Sequence, residues 1–255
     1  MPSVDNTKNA SGAVQLIVNE IYASLQGEST FAGLPCIFVR LTACNLRCSY
    51  CDTTYAFGEG RPMGLDEILN KIASMAPKAS PAGLPYKLPL VELTGGEPLL
   101  QANSLVLMSD LCDRNYTVLL ETSGALDIGP VDPRVHRIMD IKCPGSGESE
   151  RNHWENIALL RANDEVKFVI TSREDYEWTK NCITEHRLLD ICPILLSWAH
   201  PVPPSSVKFV LKSATTIQTP ITLRALADRI IADALPVRFQ VQMHKVIWPS
   251  ESRGV

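Results

Sequence analysis

Three cysteines that lie close together carry the most specific chemical signal in this sequence. Cys44, Cys48 and Cys51 are spaced C-x3-C-x2-C, so one compact loop can aim three thiolates at a common centre. Iron–sulfur clusters are normally held by four thiolates, and three would leave one iron open for a substrate or cofactor. The other cysteines are scattered, and we expect them to be small buried hydrophobic residues.

Two other readings of the cysteine loop stay open at this point. A structural zinc site would need a fourth ligand, and His136 and His153 are isolated in the sequence. A redox pair formed by Cys48 and Cys51 would leave Cys44 unexplained. The spacing therefore favours an iron–sulfur cluster over zinc or a thiol redox site.

A second motif, Gly95-Gly96-Glu97-Pro98, follows a short apolar run. The Glu97 carboxylate is suited to an ammonium group, because charge-assisted hydrogen bonds are the strong ones. Taken alone, the motif is also compatible with a simple turn that starts a helix at Pro98.

Composition limits the class of protein. The chain has 255 residues, with 45% hydrophobic residues, 20% charged residues and a formal net charge of -4. These values are typical of a globular protein with a large core and argue against broad nucleic-acid binding. No apolar run reaches membrane-spanning length, and the first residues do not resemble a signal peptide. We therefore expect a cytoplasmic protein that binds neither nucleic acid nor membrane.

Apolar runs alternate with amphipathic segments along the chain. Predicted strands are Leu16–Ser24, Cys36–Thr42, Leu90–Leu93, Thr117–Glu121, Arg137–Ile141, Val166–Ile170, Ile194–Ser197 and Arg238–Gln242. Predicted helices are Gly64–Met75, Leu99–Arg114, His153–Arg161, Glu174–His186 and Thr219–Ala234. We expect residues 1–13 to be a disordered tail, residues 14–255 to be one domain, and Pro77–Pro89 to be a loop insertion.

This alternation predicts an α/β fold with parallel strands, arranged as a barrel or partial barrel. Sites in such folds lie at the carboxyl ends of the strands. Cys44, Gly95, Glu121 and Lys142 each follow or close a predicted strand. We therefore expect these residues to meet on one face.

The cysteine loop, with Tyr50 before its last cysteine, and the Gly-Gly-Glu-Pro motif together resemble the radical S-adenosylmethionine (SAM) superfamily. The resemblance implies a partial, incomplete TIM-like βα barrel of the radical SAM type. It also implies a [4Fe-4S] cluster on the three cysteines and SAM as cofactor. Gly95, Gly96 and Glu97 would then hold the methionyl amino group of SAM.

Further segments, from about Val18 onward, are similar to the 7-carboxy-7-deazaguanine synthase family within that superfamily. They include Ile21–Glu28, Phe38–Thr53, Glu121–Gly124, Asp140–Gly147, Lys167–Ile170 and Gln240–Lys245. The resemblance implies conversion of 6-carboxy-5,6,7,8-tetrahydropterin to 7-carboxy-7-deazaguanine with loss of ammonia, in 7-deazapurine and queuosine biosynthesis.

The same resemblance assigns substrate-side roles. Gln26 and Glu28 would read the amino and ring N–H groups of the pterin. Arg40, on an apolar strand, needs an anion, either the substrate carboxylate or a structural ion-pair partner. Thr53 would help to bind Mg²⁺, with substrate oxygens and waters completing the octahedron. Thr94 is a further substrate candidate.

The remaining roles fall on the last strand and on the SAM side. His244 is expected to end the strand and contact substrate, and Gln242 would share its face by period-two geometry. Tyr50, Glu121, Ser123 and Lys142 are implied SAM contacts. The chain departs from the family at Ser29 and Ala43, where glycine is common.

The resemblance also implies partners: a flavodoxin or ferredoxin as reductant, and a second copy of the chain in a homodimer. Two rival functions remain open. One is a radical SAM activase that installs a glycyl radical on a partner protein, which shares the cysteine spacing. The other is a zinc-stabilised binding protein without enzymatic activity.

Overall fold

The structure is a computed structural model that describes residues 14–76, 90–201, 209–249 and 252–255. The predicted disordered tail, residues 1–13, and the predicted insertion, residues 77–89, lie outside the described residues.

One nine-stranded sheet organises the fold, in the order β3-β1-β2-β4-β5-β6-β7-β8-β9. Strands β2 and β4 to β9 are parallel to one another, while β1 pairs antiparallel with both β2 and β3. The strands are β1 Gln15–Leu25, β2 Pro35–Leu41, β3 Arg61–Gly64, β4 Leu90–Gly95, β5 Thr117–Thr122, β6 His136–Asp140, β7 Glu165–Ile170, β8 Ile194–Trp198 and β9 Arg238–Gln240. Every predicted strand is present, and the four-residue β3 was not predicted.

The α-helices of the described residues are α1 Leu65–Met75, α2 Asn103–Asp113, α3 Arg173–Glu185, α4 Leu223–Ala232 and α5 Met243–Ile247. The helix predicted over His153–Arg161 is wrong, because Trp154–Leu159 forms a 3-10 helix. The prediction of a strand running to Gln242 is also wrong, since β9 ends at Gln240 and α5 follows. Within the described ranges, no helix combines the length and apolar character that crossing a bilayer requires.

The two faces of the sheet differ in chemistry because side chains alternate along each strand. In β4, Val91 and Leu93 pack into the main hydrophobic core, as do Leu107 and Leu111 of α2. The opposite face of the sheet carries a small apolar cluster that includes Phe38, Leu119 and Leu195. Further towards the carboxyl ends of the strands, the residues on this face are polar: Arg40, Thr94, Glu121, Lys167 and Ser197. This face of the sheet is therefore apolar further from the carboxyl ends of the strands and polar close to them.

The sheet is an open barrel, as the sequence predicted, because β3 and β9 remain its two edges within the described residues. The loop between β1 and β2 ties the two sides together. Gln240 of β9 accepts a hydrogen bond from the amide of Ser29 (2.6 Å) and donates one to its carbonyl (2.9 Å). The hydroxyl of Thr30 donates to Glu165 of β7 at 2.5 Å. These contacts join the β1–β2 side of the sheet to β7 and β9 without strand pairing.

A fully buried ion pair lies between β6 and the segment before β7. The side chains of Arg137 and Asp164 are both 0% exposed, and Arg137 Nε donates to Asp164 Oδ1 at 3.0 Å. Arg137 also donates to the carbonyls of Ile128 and Leu159. Removing one partner would leave the other as an unpaired buried charge.

We therefore expect Asp164→Asn to lower the free energy of unfolding by about 3–5 kcal/mol. Urea denaturation measures the change. The exposed pair Arg224–Asp228 supplies the control, and Arg224→Met should leave the midpoint within error. An unchanged midpoint for Asp164→Asn would contradict the assignment.

Two residues at family-typical glycine positions adopt the left-handed backbone region. Ser29 has φ 66° and Ala43 has φ 80°. A side chain costs free energy there, which explains why glycine suits both positions. Ala43 keeps this conformation because its N–H donates to Ala56 (2.9 Å) and its carbonyl accepts from Glu97 (2.8 Å).

We expect Ala43→Gly to raise the free energy of unfolding by up to about 1 kcal/mol, because it relieves the strain at this φ. Ala43→Val should lower it, since a β-branched residue is more strained at positive φ. The urea midpoints of both variants test the idea, and a lower midpoint for Ala43→Gly would count against it.

Candidate functional site

A cavity of about 410 Å³ opens at the carboxyl ends of the parallel strands. Of the candidate residues, only Glu97 is absent from its lining. The others all line it: Gln26, Glu28, Arg40, Cys44, Cys48, Tyr50, Cys51, Thr53, Thr94, Gly95, Gly96, Glu121, Ser123, Lys142, Gln242 and His244. The tertiary structure thus brings residues from across the chain to one place.

The cysteine loop and the glycine pair are packed directly against each other. A Cβ on Gly96 would lie 2.1 Å from the Ala43 carbonyl oxygen and 2.8 Å from Cys44 Cβ. A Cβ on Gly95, whose φ is 141°, would lie 2.2 Å from the carbonyl oxygen of Leu41. Only glycine fits at either position, and the contact fixes the start of the cysteine loop against the end of β4.

The three thiols share one end of the cavity. Burial raises the pKa of Cys44 to about 11 and that of Cys51 to about 12, and it also raises the pKa of Cys48. Buried thiols of this kind become thiolates when a metal takes the place of the proton. The amide of Leu46 points at Cys44 Sγ at 3.4 Å, as N–H groups near cluster sulfurs do.

These thiols fit an iron–sulfur cluster in donor chemistry. Among the described residues, no group of three or more His, Cys, Asp or Glu side chains converges on a single metal ion. A cubane does not require such convergence, because each thiolate binds a different iron atom.

Glu97 lies beneath the cavity wall instead of in it. Its side chain is 0% exposed and accepts hydrogen bonds from the amide and hydroxyl of Ser123 at 2.7 and 2.5 Å. The hydroxyl of Thr122 (3.0 Å) and the amide of Leu99 (3.0 Å) donate to the same carboxylate. Glu97 therefore holds the end of β5 against the glycine pair, and Ser123 faces the cavity.

Two buried polar atoms of the lining have no hydrogen-bond partner within the described residues: the Tyr50 hydroxyl and Asp140 Oδ1. The other oxygen of Asp140 accepts from Lys142 Nζ at 2.7 Å. Asn152 holds the Lys142 backbone by bonding both its N–H (2.8 Å) and its carbonyl (3.0 Å). An unsatisfied acceptor and hydroxyl next to the thiols suit a polar ligand such as SAM.

Another part of the cavity lining is a network of carboxylates around one lysine. Lys167 Nζ lies 2.7 Å from Glu121 Oε1 and 3.6 Å from Glu28 Oε2. Ser197 donates its hydroxyl to Glu28 at 2.5 Å. Burial alone would lower the pKa of Lys167, but Asp140, Glu121 and Glu28 raise it well above its usual value.

Gln26 is held in one orientation by its two neighbours. Its amide group donates to the buried carboxylate of Glu92 and accepts from the N–H of Glu28 at 3.2 Å. Burial, reinforced by the charge of Glu121, raises the pKa of Glu92 well above its usual value.

Arg40 already has an anionic partner in the protein. Its Nε donates to Glu20 at 2.7 Å and its Nη2 donates to the Tyr22 hydroxyl at 2.8 Å. Glu20 also accepts from the Tyr55 hydroxyl at 2.8 Å. A ligand carboxylate would therefore be a second anion on the same guanidinium.

His244 reaches the cavity from α5, and not from a strand as predicted. The amide of Met243 donates to the Gly27 carbonyl at 3.1 Å, and a Cβ on Gly27 would lie 2.7 Å from His244 Nδ1. Burial lowers the pKa of His244. Gln242 precedes the helix and accepts from the Lys245 amide at 3.0 Å, so it does not share a strand face with His244.

Sequence reasoning missed several residues of the lining: Asp52, Glu92, Asp140, Lys167, Ser197 and Lys245. Asp140 and Lys167 lie in segments that carry the family resemblance, and Asp140 ends a strand, so strand-end position was an available signal. Glu92 is a carboxylate within an apolar strand, which was a second signal.

Comparison with known proteins identifies the family of the chain. Residues 39–187 match the model of the Radical SAM superfamily. A 7-carboxy-7-deazaguanine synthase of Chlorobaculum tepidum is 42% identical over 243 residues, covering 94% of this chain and 97% of that protein. A protein of the same name from Thermoplasma acidophilum is 30% identical, covering 91% and 97%.

Solved structures agree on the fold. QueE from Escherichia coli superposes with a TM-score of 0.61 at 23% identity, covering 90% of this chain and 95% of that one. Streptococcus suis SuiB bound to S-adenosylmethionine has a TM-score of 0.50 at 15% identity, covering 78% of this chain and 48% of that one. The chain belongs to the radical SAM superfamily and, within it, to the family of 7-carboxy-7-deazaguanine synthases, whose chemistry uses a [4Fe-4S] cluster and SAM.

Proposed function

We propose that the chain converts 6-carboxy-5,6,7,8-tetrahydropterin to 7-carboxy-7-deazaguanine with loss of ammonia, through the residues assigned below. One observation carries the proposal: a single cavity is lined both by the three thiols and by a set of hydrogen-bonding groups from neighbouring strands. A cluster-bound cofactor and a flat polar substrate would lie side by side there.

Cys44, Cys48 and Cys51 would hold the cluster. The cluster and SAM, when bound, supply the radical that removes a hydrogen atom from the substrate. The backbone of Gly95 and Gly96 would face the methionyl group of SAM. Ser123 and Lys142, with Tyr50, would supply hydrogen bonds to the rest of the cofactor, supported by the unpaired oxygen of Asp140.

The Lys167 network would bind the pterin. Glu28 would accept hydrogen bonds from the amino and ring N–H groups, and Lys167 would balance the charge of the carboxylates. We assign Glu121, which the family resemblance places on the SAM side, to the pterin instead, because it shares Lys167 with Glu28. Gln26 would add a hydrogen bond in the orientation set by Glu92. Thr94, Gln242 and His244 are the other proposed contacts, and Arg40 would bind the substrate carboxylate beside Glu20.

The donors near Thr53 fit a partial magnesium site. The Thr53 hydroxyl donates its hydrogen to Asp52 Oδ1 at 2.7 Å, which leaves its lone pairs free for a cation. One hydroxyl does not hold Mg²⁺, which takes six oxygen ligands, so substrate oxygens and waters would complete the shell. The ion would orient the substrate and stabilise negative charge on it.

The wider setting is also part of the proposal. We place the enzyme in the cytoplasm, where thiols stay reduced, and each of its eight cysteines is a free thiol. A flavodoxin or ferredoxin would supply the electron, and two copies of the chain would form a homodimer, as the family resemblance implies. Residues 14–255 would act as one catalytic domain, supported by the single sheet that runs through the described residues.

The direct test is anaerobic purification followed by reaction with SAM, dithionite, Mg²⁺ and the carboxylated tetrahydropterin. We expect about four iron atoms per chain and release of 7-carboxy-7-deazaguanine with ammonia, measured by mass spectrometry. Cys48→Ala should lose iron and product, whereas Cys112→Ala, outside the cavity, should keep both. SAM cleavage without a deazapurine would exclude the proposed substrate, and zinc in place of iron would exclude the cluster.

The burial of Glu97 generates a separate prediction. Glu97→Gln would turn an amide N–H₂ towards donors that now bind the carboxylate, so unfolding free energy should fall by about 2–4 kcal/mol in the absence of SAM. Urea denaturation of the purified protein measures this, with the exposed Glu155→Gln as control. Unchanged stability together with weaker SAM binding would show that Glu97 contacts the cofactor instead.

A further inference from the structure

Lys245 lies beside Asp52, the chain neighbour of the proposed magnesium ligand Thr53. Lys245 Nζ forms an ion pair with Asp52 Oδ2, while Asp52 Oδ1 accepts from the Thr53 hydroxyl at 2.7 Å. The lysine side chain is 6% exposed and that of Asp52 is 33% exposed. The local charge of the pair is therefore zero before any ligand binds.

The position of this lysine is determined by the backbone around it. The amide of Met243 donates to the Gly27 carbonyl at 3.1 Å, and the amide of Lys245 donates to Gln242 at 3.0 Å. Any Cβ at Gly27 would collide with His244. Helix α5 thus packs against the loop that carries Gln26 and Glu28, and this packing places the Lys245 ammonium group beside Asp52.

We propose that Lys245 is an internal cation that makes metal binding conditional on substrate. This inference rests on the magnesium role proposed above. With its ammonium on Asp52, the substrate-free site offers a divalent cation no net negative charge and a nearby positive one. A substrate carboxylate at the cavity adds the missing negative charge, so the ion and the substrate bind together.

Lys245 also affects whether a metal ion can bind before the substrate does. Without Lys245, the Asp52 carboxylate and the Thr53 hydroxyl would form a weak cation site of their own. A free metal ion would then bind before the substrate, held by Asp52 and Thr53 instead of by the substrate oxygens that should complete its shell. Lys245 therefore favours binding of the metal ion together with the substrate over binding of the metal ion first.

The test uses the anaerobically purified, cluster-containing protein and Mn²⁺ as the probe. Free Mn²⁺ is titrated by its electron paramagnetic resonance signal, without substrate and then with the carboxylated tetrahydropterin. We expect the wild type to bind Mn²⁺ weakly alone and more tightly with substrate. Lys245→Met should bind Mn²⁺ alone roughly tenfold more tightly, the size expected from removing one nearby unit charge.

Two variants serve as controls. Lys245→Arg keeps the charge and should behave as the wild type, and Lys180→Met removes a lysine that pairs with Asp233 away from the cavity. Equal Mn²⁺ affinity of Lys245→Met and wild type would overturn the inference, as would the same gain in Lys245→Arg. If the wild type forms product yet never binds Mn²⁺, even with substrate, the magnesium role fails and this inference fails with it, while the proposed reaction stands.

Discussion

The site depends on the balance of charge around Lys167. Its ammonium contacts Glu121 from β5 and Glu28 from the loop after β1, with Asp140 of β6 nearby in the same field. Buried carboxylates of this density would repel each other without a cation among them. One lysine on a central strand thus holds Glu121 of β5 and the loop between β1 and β2 in place together.

The loop between β1 and β2 also stabilises the open sheet. Within the described residues the open sheet leaves β3 and β9 as its edges, and the Gln26–Leu34 segment after β1 crosses to the other side of the sheet. There it forms hydrogen bonds with Gln240 of β9 and Glu165 of β7. Because Gln26 and Glu28 lie on this segment, the contact that stabilises the fold also positions two of the residues proposed to bind substrate. Structure and binding therefore share the same residues, and the strained φ of Ser29 is maintained by Gln240.

The cofactor side is built by close backbone contact. Gly95 and Gly96 let the end of β4 touch the start of the cysteine loop, and Glu97 locks the end of β5 behind them. The glutamate of this motif is a buried support in the structure and accepts hydrogen bonds from Thr122 and Ser123. Helix α5 adds His244 and Lys245 to the cavity lining, and its position brings Lys245 into an ion pair with Asp52.

The sequence by itself determined the three-cysteine loop, the glycine motif and the alternating strands and helices. These are local properties: three thiols within one loop, and side-chain parity within one strand. The open barrel and the convergence at strand ends followed from them, because parallel strands end on a common face. Most candidate residues of the cavity were predictable for that reason.

Only the tertiary structure decided which groups neutralise the charges of these cavity residues and hold their side chains in position. Glu92 meets Gln26 across 66 positions, and Lys245 meets Asp52 across 193, separations at which spacing carries no information. The change from strand to helix at Met243 and the burial of Glu97 likewise depend on packing against Gly27, Thr122 and Ser123. Pairing energy between distant residues exists only once the chain has folded, so local pattern could not reveal it.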